Sequence, residues 1–321
     1  MAFSAKTRRY LVVFLIIGWS ITLIYTVLRT NPSKYPLKTK RLYRDNRLLM
    51  GTFWQVSSPN KQASAIVFSE ASRIEQLLSK YIATSEVSRL NRLGKLKVSP
   101  DTFYIIKKSQ EFCFKTSGAF DITVAPLVEL WGFTSQQYSV PEDNKIKAVL
   151  GLVGSDKIIL HEKDNMVEFK IPGTKIDLGG IAKGYALDCA VKKLKENNIN
   201  SCLINAGGQV YALGDKFGQA WKIAIQGARK SEITGTLELK NKSASTSGDY
   251  QQYFLIGNKR YCHILNPKTG YPAESGISSV TVIAESGLEA DALSTAVFVL
   301  GKEKAKELTA KFINLEIKIT Q

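Results

Sequence analysis

The first pattern along the chain is an uncharged apolar run of 19 residues, 10–28. At about 1.5 Å of rise per residue, such a run is long enough to cross a bilayer core as one helix. Lys6, Arg8 and Arg9 precede it, which gives a short basic segment (1–9), a transmembrane signal anchor (10–28) and a basic tether (29–46). No small-x-small cleavage signature follows, so an uncleaved anchor is expected. Basic residues flank both ends, and charge alone does not choose the membrane side.

Beyond the tether the periodicity becomes that of a folded domain, 47–321. Residues 49–56 read as a first strand. Residues 63–80 place Ile66, Val67, Ile74, Leu77 and Leu78 at helical spacing, and 100–116 form a second helix stopped by Ser117-Gly118. Residues 157–160 and 166–171 flank Lys163-Asp164-Asn165 as a hairpin. Helical spacing returns over 181–197, strands follow at 201–204, 221–225, 233–239 and 280–284, and a last helix ends near Leu300-Gly301. Helices interleaved with hairpins predict an α+β domain with a mixed sheet.

Charge then narrows the function. Of the net +16, half lies in residues 1–45, where nine Lys/Arg face a single Asp45, leaving +8 over the other 276 residues without a basic block. A nucleic-acid role is not expected. Cys113, Cys189, Cys202 and Cys262 have neither metal-ligand spacing nor a C-x-x-C pair, and the only histidines are His161 and His263.

Several polar segments are candidates for chemistry. Asp291 and Thr295 are four apart, so on a helix they share a face and offer a carboxylate and a hydroxyl to a hard cation. The same spacing also fits an Asp near a helix start and a Thr bonding back to its own helix. Residues 175–186 read as a strand end, the double glycine Gly179-Gly180 and a helix start, with Lys183 placed to reach an anion at that end. An ordinary strand-to-helix turn accounts for the same residues. Asn205-Ala206-Gly207-Gly208 supplies another close-approach turn. Residues 245–250 cluster hydroxyls and Asp249 in what reads as a hydrogen-bonded turn. His263 sits beside a Pro/Gly turn, and residues 120–127 put Asp121 among aromatics.

In chain order, MGT at Met50, SEVSRLN at Ser85, FDITVAPL at Phe120, DLGGIAKGYA at Asp177, NAGG at Asn205, TSGDY at Thr246, HILNPKTG at His263 and ADALST at Ala290 resemble the ApbE family of FAD:protein FMN transferases. The resemblance spans about residues 48–301. It implies Mg²⁺-dependent transfer of the FMN half of FAD to a threonine hydroxyl of a target protein, with release of AMP. It implies metal ligands at Asp291, Thr295 and the Gly180 carbonyl. FAD contacts are implied at Met50, Tyr81, Ala119, Phe120, Asp121, Asp177, Lys183 and Ile264. His263 is the implied catalytic residue, here assigned as general base, with Asp249 in reserve. The resemblance also implies acceptors among subunits of Na⁺-pumping NADH:quinone oxidoreductase or Rnf-type complexes. With the anchor, it implies a single-pass inner-membrane protein whose catalytic domain faces the periplasm. An FAD pyrophosphatase and a membrane-tethered FAD-binding protein are the competing readings.

Overall fold

The computed structural model describes residues 40–226 and 233–320, with the folded unit starting at Leu42. The anchor expected at 10–28 lies outside the described residues. Among the described residues no helix is long and apolar enough to cross a membrane.

Strands β1 (Tyr43–Leu49) and β2 (Thr52–Ser58) form an antiparallel hairpin around Met50-Gly51. The single strand expected over 49–56 is therefore two strands, and the first begins inside the stretch read as tether. Gly51, at φ 70°, takes the left-handed turn conformation without steric cost. The polar run Arg44–Arg47 hid β1, because an edge strand carries charges that a central strand would not.

Helix α1 (Ala63–Leu78) buries Val67, Phe68, Ala71 and Ile74, as its spacing predicts. Helix α2 (Glu86–Leu93) starts at Ser85, whose hydroxyl accepts from the Ser88 N–H, and stops at left-handed Gly94. A short strand β3 (Lys95–Lys97) leads to α3 (Pro100–Lys115), capped by Ser99, and then to α4 (Ala125–Leu130) and α5 (Asp143–Leu150). Strands β4 (Ile158–His161) and β5 (Met166–Phe169) form the expected hairpin, which β3 joins in the order β3-β5-β4. After helix α6 (Ala182–Glu196) come β6 (Cys202–Ala206), β7 (Gln209–Leu213), β8 (Trp221–Gln226), β9 (Ile233–Leu239) and β10 (Lys242–Gly248). The chain continues through β11 (Tyr253–Ile256), β12 (Lys259–Cys262), β13 (Ser279–Ala284), α7 (Gly287–Leu300), α8 (Lys302–Thr309) and β14 (Glu316–Thr320).

Seven of these strands form one sheet in the order β1-β2-β6-β7-β10-β13-β14. Every pairing in it is antiparallel, so the mixed sheet expected from interleaved helices is corrected. A parallel neighbour needs a single crossover, usually one helix. Here β1–β2 and β6–β7 are joined by tight turns, while β7–β10 and β10–β13 are separated by hairpin excursions. The pairs β2–β6 and β13–β14 are separated by more than one helix.

Helices α1, α6 and α7 pack together, with α1 against β2 and α7 against β10 and β13. Alternation along the strands then sorts side chains between faces. Tyr211 and Val282 enter the helix-side core, while Ala212, Ala244 and Ile283 pack under the β8–β9 hairpin with Trp221, Leu237 and Leu239. Serines 243, 245 and 247 of β10 lie on the other face from Ala244, and all three are buried. The turn expected at 245–250 is thus largely a central strand, because Ser245 and Ser247 find partners on α7, and Thr246 on β13, instead of within a turn.

Candidate active site

The cavity lies where strand ends, helix N-termini and loops from distant parts of the chain converge. Its organising contact is the crossing of α6 and α7 near their N-termini. A Cβ on Gly184 would stand 2.1 Å from the Gly287 carbonyl oxygen, so this approach requires a glycine. Asp188 of α6 holds the start of α7, accepting hydrogen bonds from the Ser286 hydroxyl (2.7 Å) and the N–H groups of Gly287 (2.6 Å) and Leu288 (3.0 Å). The start of α7 is thereby satisfied by Asp188, while the start of α6, with Gly179, Gly180 and Lys183, opens on the cavity, a favourable setting for negative charge.

Asp291 on α7 is 4% exposed. Its Oδ2 accepts the Gly184 N–H at 3.0 Å, and its Oδ1 faces the Ser245 hydroxyl at 3.4 Å. Ser294 connects to Ser245 and Ser247, so a ladder of hydroxyls backs the carboxylate. Burial pushes the Asp291 carboxyl above the ordinary range, and the Lys183 ammonium, 3.8 Å from Oδ2, acts in the opposite direction. Because the Gly184 N–H turns to Asp291, the Gly180 carbonyl accepts no hydrogen bond among the described residues.

The implied metal set is therefore brought together. Asp291, Thr295 and Gly180 line the same cavity, and a Cβ built on Gly180 would lie 3.1 Å from Thr295 Oγ1. A carboxylate, a hydroxyl and an unbonded carbonyl are hard oxygen donors, and they fit a cation such as Mg²⁺ that keeps positions for water or phosphate. Among the described residues no group of three or more His, Cys, Asp and Glu is arranged to hold a metal ion. A nitrogen- and sulfur-rich centre of the zinc type is thus not what these residues offer.

His263 lines the cavity and directs Nδ1 at the Gln252 carbonyl, 3.1 Å away. A carbonyl only accepts, so Nδ1 carries the proton and Nε2 keeps a lone pair. Burial lowers the His263 pKa below its ordinary value and the Lys183 charge lowers it further, so the imidazole is neutral at pH 7.

Asp177 is shared between the Gly179 N–H (2.8 Å) and the Lys80 ammonium (2.7 Å). Burial disfavours the Lys80 charge, but Asp177 outweighs it and its pKa rises above the lysine norm. The segment before the double glycine is not the strand end expected. Asn91 takes the backbone N–H and C=O of Ile176, and the Asp177 N–H goes to the Ile122 carbonyl, which replaces a strand ladder. Lys183 donates to the Gly179 carbonyl at 3.1 Å.

Tyr81, Ala119, Phe120, Asp121 and Ile264 all line this cavity. The Asp121 carboxylate is nevertheless spent inside the fold, on Thr123 and the Ser155 N–H. Met50 lines an adjoining cavity that shares Lys80, Tyr81, Asp177, Gly179 and Lys183 with the first, and its N–H is fixed by Glu75 at 2.7 Å. Asp249 is not among the lining residues: its Oδ2 is paired with Arg260 at 2.8 Å. Sequence reasoning missed Lys80, Gln252 and Asp188. None belongs to a spacing that announces chemistry, and the only local hint was that Lys80 directly precedes Tyr81.

Fold and cavity together are those of a flavin transferase. The chain belongs to the ApbE family, whose profile matches residues 50–319. It is 34% identical to the FAD:protein FMN transferase of Escherichia coli K12 over 82% of this chain and 79% of that one. It is 33% identical to the enzyme of the same name from Buchnera aphidicola subsp. Schizaphis graminum over 90% and 87%. The crystal structure of the ApbE protein from Thermotoga maritima superposes with a TM-score of 0.81 at 35% identity, covering 87% of this chain and 94% of that one. The flavin transferase ApbE from Vibrio cholerae gives 0.77 at 26% identity, covering 87% and 93%. These relatives make the chain an enzyme of the FAD:protein FMN transferase class.

Proposed function

We propose that the chain transfers FMN from FAD to a threonine hydroxyl of a protein acceptor, with Mg²⁺ held by Asp291, Thr295 and the Gly180 carbonyl. The single observation that carries this reading is the unbonded Gly180 carbonyl beside the Asp291–Thr295 pair, in the same cavity as a neutral His263. A cation held by Asp291, Thr295 and the Gly180 carbonyl would neutralise diphosphate charge and make the reacting phosphorus a better electrophile. The threonine Oγ attacks the flavin-side phosphorus, and its proton passes to His263 Nε2. The bond from that phosphorus to the bridging oxygen breaks, and AMP leaves with the electron pair. The Gln252 carbonyl keeps His263 in the tautomer able to take the proton. Lys183 and the N-terminus of α6 stabilise the charge on the phosphates, and Lys80 holds Asp177 at the wall shared by the two cavities.

The wider setting belongs to the same proposal. The apolar run 10–28 anchors the protein in the inner membrane with the catalytic domain in the periplasm. The acceptors are subunits of membrane redox complexes of the Na⁺-pumping NADH:quinone oxidoreductase or Rnf type.

The test uses the full chain in detergent with FAD, Mg²⁺ and the FMN-acceptor domain of such a subunit. Intact mass of the acceptor and chromatography of the nucleotides are read together. One FMN gained per acceptor with one AMP released, both lost without Mg²⁺, supports the proposal. Free FMN and AMP with an unmodified acceptor would instead identify a hydrolase.

A further inference from the structure

The hairpin β11–β12 has a free edge beside the catalytic histidine. Among the described residues β11 pairs with β12 alone. The bond from the His263 N–H to the Gln252 carbonyl fixes which residues face inward. Gln252–His263 is a hydrogen-bonded pair, so with the observed register Phe254–Tyr261 and Ile256–Lys259 are too. Tyr253 and Leu255 therefore direct their backbone N–H and C=O groups away from β12.

The side chains tell the same story. Phe254 and Tyr261 pack against the cluster of Trp131 and Phe133, which fixes one face of the hairpin. On the other, Tyr253 is 39% and Leu255 59% exposed, while Ile256, on the Phe254 face at the tip, is 51% exposed. A short edge that presents unpaired backbone groups and exposed apolar side chains is what an incoming strand adds to. Gln251 and Gln252, just before β11, and His263, just after β12, all line the cavity. A segment laid along β11 is thus led to His263.

We propose that the outer edge of β11 is the docking strand for the extended, threonine-bearing segment of the protein acceptor. This rests on the transferase reading above and names where the second substrate binds. Backbone groups of Tyr253 and Leu255 pair with the segment, and the Leu255 side chain packs beside an apolar residue on the same face of it. FAD occupies the cavity and makes no use of this edge.

The experiment compares the wild-type chain with Leu255→Pro, which removes one outward N–H, and Leu255→Lys, which keeps the backbone and removes the apolar contact. The probe is the FMN-acceptor domain of a Na⁺-pumping NADH:quinone oxidoreductase subunit. Acceptor KM, FAD affinity from flavin fluorescence, and FAD turnover to FMN and AMP without acceptor are measured on each. Expected is a rise of about tenfold in acceptor KM in both variants, equivalent to about 1.4 kcal/mol, with FAD affinity and acceptor-free turnover unchanged. An unchanged acceptor KM in Leu255→Lys overturns the docking strand. So does a loss of FAD affinity equal to the loss in transfer. A wild-type dimer that Leu255→Lys converts to monomer at unchanged acceptor KM would assign the edge to a second copy and overturn it too. Failure of the wild-type chain to modify any acceptor speaks against the transferase reading, and is separate from these results.

Discussion

Two charged clusters in this molecule use similar residues to opposite ends. Around Arg73 the groups close on one another: its guanidinium reaches Glu70 at 2.8 Å and Asp101 at 2.9 Å, and Asp101 also accepts the Tyr185 hydroxyl at 2.6 Å. Hydrogen bonding to Arg73 holds the Asp101 carboxyl below its ordinary range, so charge is stabilised where it sits. Around Asp291 the reverse holds. Burial pushes the carboxyl up, the nearest ammonium stands at 3.8 Å, and a neighbouring carbonyl has no donor among the described residues. The first cluster is complete without a ligand and contributes to the fold. The second is left short of positive charge, the deficit that the proposed Mg²⁺ would fill.

The sharpest way to break this comparison is Asp291→Asn. The change keeps an acceptor for Gly184 but removes the charge, and transfer should fall on the order of a thousandfold, about 4 kcal/mol of transition-state stabilisation. The melting temperature in metal-free buffer should hold or rise, because a buried, undercompensated carboxylate has been removed. A melting temperature that fell along with activity would show Asp291 to be as structural as Asp101.

His263→Ala comes next, with an expected loss of about a hundredfold in kcat. Because the wild-type imidazole titrates below its ordinary value of about 6.5, activity should hold down through pH 6.5 and fall only on further acidification. The variant should lack that acid limb in its pH–rate profile.

Gly184→Ala tests the helix crossing that sets Asp291 of α7 against the N-terminus of α6. A methyl group 2.1 Å from the Gly287 oxygen must push the helices apart, costing about 1–3 kcal/mol of stability by denaturant unfolding, with activity falling as Asp291 shifts. Smallest is Arg73→Met, with transfer unchanged and a loss of about 1 kcal/mol, since Arg73 is largely solvated. Asp101 has its pKa depressed in the native state, so its contribution is present above the unfolded value of about 3.9 and disappears as pH falls through the lower native value. Removing Arg73 should flatten that acid-side decline of melting temperature. A kcat loss here as large as in Asp291→Asn would erase the distinction between the clusters.

Much of the site was legible because it sits in short polar motifs with no core role to explain them. Asp291 and Thr295 four apart, Gly179-Gly180 before a helix and His263 beside a turn all converge on one cavity. Long helices were legible too, since α1, α3 and α6 have apolar spacing that nothing interrupts. The misreadings share a cause in long-range contacts. β1 reads as tether because its polar residues are tolerated at a sheet edge, and β10 reads as a turn because its serines are satisfied by Asp291 and Ser294. Asp249 has the right composition for a base, but its pairing with Arg260 across the hairpin is not visible locally. Lys80 was invisible for the converse reason: its partner Asp177 is remote in sequence, and a single lysine after a helix looks like solvated surface.

The hairpin β1–β2 has a practical consequence for reach and attachment. The chain enters the domain at Tyr43 and must run the whole of β1 before it reaches Met50, on the wall of the second cavity. Seven strand residues at about 3.3 Å each separate the two points by roughly 20 Å. A label or cross-linker placed on Tyr43 itself would therefore probe the far end of β1 from the Met50 wall, and should leave FAD binding at that wall undisturbed.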